Sequence, residues 1–200
     1  MMLPPLIAFV GYSNSGKTTF IESILPVFIS KGLRVGTLKH AGHRFEPDMP
    51  GKDSWRHRRA GASVTVTASD SVIAMTRETE SEPRPQDVLH LFKGVDLVIV
   101  EGYKHESVPK IFVSGREATS LDPAAFDGNV IAVVSDAPLK AGLPVFSTSD
   151  AVGVAEFVVN PFEFVSAGIR SLSNPALFPD DICRFPAPFG LFSPIIFACR

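Results

Sequence analysis

The sequence predicts an α/β fold of three layers, a mainly parallel sheet between helices, with an additional antiparallel hairpin. Three observations carry this. Strongly apolar stretches at residues 6–10, 95–101 and 130–134 read as strands, the first of them unbroken, as expected of a strand buried on both faces. They alternate with stretches of helical spacing, the pattern of parallel strands joined by crossover helices. Between the first run and the first helical stretch lies Gly11-Tyr12-Ser13-Asn14-Ser15-Gly16-Lys17-Thr18, which fits G-x-x-x-x-G-K-[ST] at every fixed position. Strand, phosphate-binding loop and helix in that order predict the P-loop NTPase type of sandwich.

The elements follow in turn. The first helix is expected over residues 17–31, with Phe20, Ile21, Ile24, Leu25 and Phe28 as its buried stripe and Gly32 as its stop. Pro26 removes the bond to the Glu22 carbonyl and predicts a kink. Residues 33–38 read as the second strand, so the first unit is a right-handed parallel crossover. Asp53 or Ser54 is placed to cap a short helix running to about Arg59 and ended by Gly61. Residues 63–67 and 71–75 flank Ser69-Asp70 and predict an antiparallel pair that leaves the parallel core to form an edge or a pairing surface. A loop at Pro83-Arg84-Pro85, a short helix at 86–92, strands at 95–101, 110–113 and 130–134, and a closing helix at 150–159 complete the domain.

Residues 1–160 thus form one nucleotide-binding domain, and 161–200 an irregular tail of unknown role. The tail holds both cysteines, Cys183 and Cys199, six of the 17 prolines and seven of the 16 phenylalanines, with neither helical nor strand periodicity. The core therefore has no disulfide framework. Hydrophobic residues at 45% and charged residues at 20% allow a full core. A formal net charge of −2 argues against a general nucleic-acid or anionic-membrane binder. No leader and no membrane-length apolar stretch is evident, which points to a cytoplasmic protein.

The loop's chemistry follows from its residue types. Gly11 and Gly16 permit close backbone approaches, and the N–H groups through Ser13, Asn14 and Ser15 wrap phosphates. The helix start adds unpaired N–H groups and a positive dipole end. Lys17 reaches the β- and γ-phosphates, and the Thr18 hydroxyl is placed to ligate Mg²⁺. Thr19 joins this set at the helix start or packs and caps locally. Glu101, ending an apolar strand with Gly102 leaving room beside it, is the expected metal-side acid, so Lys17 and Glu101 are the catalytic candidates. Asp96 lies roughly 16 Å from that end and reads as a strand-start residue.

Other charged groups are less specific. His40, His43 and Asp48 form a weak metal-ligand pattern, and a phosphate-sensing loop is the stronger reading. Arg56, His57, Arg58 and Arg59 crowd one short helix, either as a solvated face or facing a second phosphate-bearing ligand. Lys104, Lys110 and Arg116 add positive charge near the end of the Glu101 strand. Asp136 ends a late strand, where a carboxylate either accepts two N–H bonds from a guanine edge or caps a turn. The Asn-Lys-x-Asp signature of GTP-binding switches is absent.

Taken together, the phosphate loop, Leu38-Lys39-His40, Phe45, Asp48, Pro50-Gly51-Lys52-Asp53-Ser54, Arg56, Ala60-Gly61-Ala62, Asp96 to Lys104 and Pro109-Lys110-Ile111 resemble the molybdopterin-guanine dinucleotide biosynthesis protein B family. The resemblance spans about residues 5–137 and more loosely extends to 160. It implies a GTP-binding protein with Mg²⁺ and weak GTPase activity, forming a homodimer. It further implies assistance to the guanylyltransferase MobA, which acts on a molybdopterin-type cofactor. Lys17 and Thr18 would contact GTP and Mg²⁺, with Glu101 the metal-side acid. His40, Asp48, Lys52, Asp53, Arg56 and Lys104 match motif positions around the site. Two rival readings are a small-molecule kinase using the Arg56–Arg59 cluster as part of a lid, and a binding module that holds nucleotide without turnover.

Overall fold

The computed structural model describes residues 3–42, 45–114, 129–137, 139 and 142–160. Six strands make one parallel sheet. They are β1 (Leu6–Val10), β2 (Val35–Lys39), β5 (Leu97–Glu101), β6 (Lys110–Val113), β7 (Val130–Val134) and β8 (Val145–Phe146), arranged β2-β5-β1-β6-β7-β8. The strands β3 (Val64–Ala68) and β4 (Ile73–Arg77) pair antiparallel as a separate two-stranded sheet. The helices are α1 (Lys17–Ser30), α2 (Asp53–Arg59), α3 (Pro85–Val88), which runs on into a 3-10 turn at Leu89–Leu91, and α4 (Ala151–Val159).

Alternation along the buried strands sorts the core into two faces. Ile7, Phe9, Ile99, Ile111 and Ile131 meet Phe20, Ile24 and Phe28 of α1 and Val154 and Phe157 of α4. Leu6, Ala8, Val98, Val100 and Phe112 point the other way, against Leu89, Tyr103 and Val108. One covering layer is thus two helices, and the other is α3 with its turn and the loops beside it. Both faces of β1 are sealed, which explains its unbroken apolar run.

Several boundaries differ from expectation, each for a local reason. Strand β2 starts at Val35, not at 33, because Arg34 is engaged at its foot. The Arg34 N–H donates to Asp96 Oδ2 at 2.8 Å and the Asp96 N–H returns to the Arg34 carbonyl at 2.7 Å. Side-chain hydrogen bonds from Arg34 hold the Asp96 carboxyl below the usual range. Asp96 is therefore the strand-start residue expected. Strand β4 begins at Ile73 because the Ser69 N–H donates to the Val72 carbonyl at 2.8 Å, drawing 69–72 into the turn. Helix α2 is capped by the backbone of Lys52, with no side-chain cap; Asp53 is its first residue, where its charge complements the dipole. The helix expected at 86–92 is α3 followed by a 3-10 turn, and β8 had no counterpart in the sequence reading. Helix α1 runs through Pro26 without interruption. Pro26 and Glu22 are both exposed, so water can serve the carbonyl that the ring leaves unpaired.

Lys110 is a correction of another kind. It is fully buried at the start of β6, where its ammonium donates to the Glu106 carbonyl. That bond ties the loop after β5 to the sheet, so Lys110 adds no surface charge to the site. Arg116, His43 and the tail at 161–200 lie outside the described residues.

Candidate functional site at the phosphate loop

The loop leaves β1 at the carboxyl end of the sheet, between β5 and β6, where ligands of open parallel sheets bind. A Cβ on Gly11 would stand 2.3 Å from the Val113 carbonyl oxygen, so only glycine lets β1 turn past β6 here. Gly16 caps α1 with φ +86°, in the left-handed region that favours glycine. No side chain caps this helix and no acid sits in its first turn, so its first N–H groups point into the loop without a competing acceptor.

Lys17 folds back over the loop. Its ammonium donates to the Tyr12 carbonyl at 2.6 Å, the Gly11 carbonyl at 3.2 Å and Ser15 Oγ at 3.4 Å. Partial burial lowers its pKa below the ordinary lysine value; nearby Glu101 opposes that, and Lys39 adds to it. Thr18 Oγ1 donates to Glu101 Oε1 at 2.8 Å, joining positions 83 residues apart in sequence. The same carboxylate oxygen accepts from the Lys39 ammonium at 3.0 Å. A hydroxyl and a carboxylate side by side at a phosphate loop are the hard oxygen donors Mg²⁺ takes, with phosphate and water completing its shell. This pair would hold the ion, and the ion would neutralise phosphate charge there.

Beyond Lys17 a cleft of about 420 Å³ opens on the β5 side. Gly11, Ser13, Lys17, His40 and Lys104 line it, so the structure brings these expected residues together. It adds two acids, Glu82 and Glu106, together with Arg84, Tyr103 and His105, which sequence reading missed. Gly102 (φ +94°) and Tyr103 (φ +54°) are both left-handed, which turns the chain sharply across the end of the sheet. A Cβ on Gly102 would lie 2.9 Å from His40 Cβ. Tyr103 is fixed there by its hydroxyl, which donates to the Pro83 carbonyl at 3.0 Å, and by the His40 ring at 4.7 Å between centroids. His40 in turn pairs with Glu82. The Gly-Tyr pair after Glu101 was the one available signal for this wall; nothing in the sequence placed 82–84 beside it.

The other candidates lie elsewhere. Asp48 Oδ1 accepts from Ser54 Oγ at 3.1 Å, and its second oxygen faces Arg58 Nε at 3.7 Å. Arg58 also binds Glu46, and Glu78 at 3.0 Å. Arg56 pairs with Asp53 at 3.6 Å, and Arg59 covers Trp55. The three arginines of α2 are thus engaged, Arg56 and Arg59 on the helix itself and Arg58 with acids before the helix and after β4, and Asp48, Lys52, Asp53 and Arg56 are not in the cleft lining. Asp136 accepts from the Ser147 hydroxyl at 2.8 Å and the Thr148 N–H at 2.9 Å, the turn-capping alternative. Thr19 is exposed beside the loop. Among the described residues no group of three or more His, Cys, Asp or Glu is placed to hold a metal, and no helix is long and apolar enough to cross a membrane.

The family model described as MobB, molybdopterin guanine dinucleotide synthesis protein B, matches residues 6–136. A molybdopterin-guanine dinucleotide biosynthesis adapter protein of Escherichia coli is 39% identical over 162 residues, covering 78% of this chain and 91% of its own. The protein of the same description from Haemophilus influenzae is 37% identical, covering 78% and 88%. Among solved structures, Bacillus subtilis MobB aligns with TM-score 0.59 and 32% identity over 78% of this chain and 96% of its own. The MobB homolog from Bacillus stearothermophilus aligns with TM-score 0.58 and 30% identity, over 80% and 98%.

Proposed function

This chain belongs to the molybdopterin guanine dinucleotide synthesis protein B family, and on that premise we propose that it is a GTP-binding adapter in the formation of molybdopterin guanine dinucleotide. Mg²⁺·GTP occupies the loop of residues 11–18. Lys17 holds the β- and γ-phosphates, and Thr18 and Glu101 hold the metal. The observation that carries this is the 2.8 Å hydrogen bond between Thr18 and Glu101 at the mouth of the loop. It supports the reading because the two oxygen donors that a shared metal ion needs lie side by side at the loop.

The adapter acts in the cytoplasm with the guanylyltransferase MobA, and the bound nucleotide governs that association. Hydrolysis is slow: Arg58 is committed to three acids and Arg84 to Asp87, so neither is a free cation for the transition state. Two copies associate through the outer face of the β3–β4 hairpin. Val64, Val66, Ile73 and Met75 share that face by their cross-strand pairing, and all four are exposed.

The adapter role is tested by gel filtration of this protein mixed with MobA, with and without a non-hydrolysable GTP analogue. Co-elution that requires the analogue, and is lost in Lys17→Ala, is expected. Co-elution indifferent to nucleotide in both proteins would contradict the reading.

A further inference from the structure

A second ammonium stands at the loop besides that of Lys17. Lys39 ends β2 and is the register partner of Glu101 on β5, so the two side chains leave neighbouring strands side by side. The His40 N–H donates to the Glu101 carbonyl at 2.9 Å and pins the chain just beyond. Lys39 Nζ lies 3.0 Å from Glu101 Oε1, the same oxygen that accepts from Thr18 at 2.8 Å. Glu101 is the one acid with which Lys39 pairs among the described residues.

Lys39 cannot keep that position once the site fills. Its positive charge sits on a carboxylate oxygen needed for a dication, and like charges that close repel strongly. It is free to leave, because its side chain is 62% exposed and rides on a flexible four-carbon stem. An acceptor lies within its reach only when the nucleotide is a triphosphate. Oxygens of the γ-phosphate and of Glu101 become neighbours in one octahedral Mg²⁺ shell, and a diphosphate leaves that place to water. Charge balance points the same way. Glu101 is flanked by two ammonium groups, those of Lys17 and Lys39, and the γ-phosphate supplies the negative charge that answers both.

We propose that Lys39 is the residue by which this site tells a nucleoside triphosphate from a diphosphate. It pairs with Glu101 while the loop is empty and moves to the γ-phosphate when Mg²⁺·GTP binds, so the state of the nucleotide is read at the end of β2. The proposal rests on Mg²⁺ and GTP occupying the loop as above. The test is calorimetry of a non-hydrolysable GTP analogue and of GDP, both in Mg²⁺, on wild-type protein, Lys39→Met and Lys31→Met. The last makes the same charge change at the far end of α1. The readout is the ratio of the two affinities. Lys39→Met should lower the preference for the analogue at least about tenfold, the loss of one charge-assisted bond. Lys31→Met should leave the ratio within about twofold, as a distant exposed charge does. GDP binding retained by Lys39→Met shows that its loop is intact. If Lys39 only held Glu101 in place, its loss would shift both nucleotides alike. An unchanged ratio in Lys39→Met, or an equal fall in Lys31→Met, overturns the proposal while the GTP reading stands. Failure of the wild-type protein to bind either nucleotide overturns both.

Discussion

Glu101 Oε1 accepts from two donors at once, the Thr18 hydroxyl and the Lys39 ammonium. Without nucleotide, Lys39 therefore offsets the charge that would draw a metal ion. Lys39 is mostly exposed, and such pairs are worth up to about 1 kcal/mol. Lys39→Met should tighten Mn²⁺ binding to nucleotide-free protein by at most about fivefold, read from the free-ion signal in electron paramagnetic resonance; weaker binding in the variant would refute this role. Gly11→Ala drives a methyl against the Val113 carbonyl at 2.3 Å. It should cost about 1–3 kcal/mol in urea unfolding, as strained backbone positions do, and an unchanged midpoint would show that β6 yields freely. The loop and Glu101 were legible at this scale because fixed spacing and strand context define them. Asp48, Asp53 and Arg56 were not. Their residue types suit a phosphate site, but a tertiary knot around Arg58 and a local pair on α2 engage the charges instead.

Elements were legible where burial is complete on both faces, as in β1, β5 and β7. They blurred where one polar contact sets the boundary, as Asp96 does for β2 and Ser69 for β4. Pro26 is the sharper lesson. An interior proline costs a helix about 3 kcal/mol relative to alanine, yet α1 runs through it because Phe20, Ile21, Ile24 and Phe28 anchor the helix on the sheet. Pro26→Ala should then stabilise the domain by about 1–3 kcal/mol, seen as a higher urea midpoint with the same slope; a lower midpoint would mean that the ring contributes packing. In the last described helix, Asp150 caps α4 by accepting the Gly153 N–H at 2.9 Å. Removing that cap in Asp150→Ala should cost about 1 kcal/mol by the same assay.

For the whole molecule, the parallel class followed from alternating strands and helices, but the strand order did not. No local signal says that β5 inserts between β2 and β1, and that insertion is what brings Glu101 to Thr18. The hairpin's departure from the parallel core was readable from its two paired stretches, but whether it forms an edge or a pairing surface was not. Its exposed apolar face gives a whole-molecule prediction: Val66→Lys should convert a dimer to a monomer in sedimentation equilibrium, and a dimer unaffected by it would move the interface elsewhere. We propose that residues 11–18, with Glu101, form a GTP site on which the chain's adapter role depends. Calorimetric titration of GTP in Mg²⁺ into the wild-type protein and Lys17→Ala tests it most directly. Saturable one-to-one binding that weakens at least about tenfold in the variant, the charge-assisted bonds of one ammonium, is expected, with an unchanged thermal unfolding profile. Equal GTP affinity in the two proteins would contradict it.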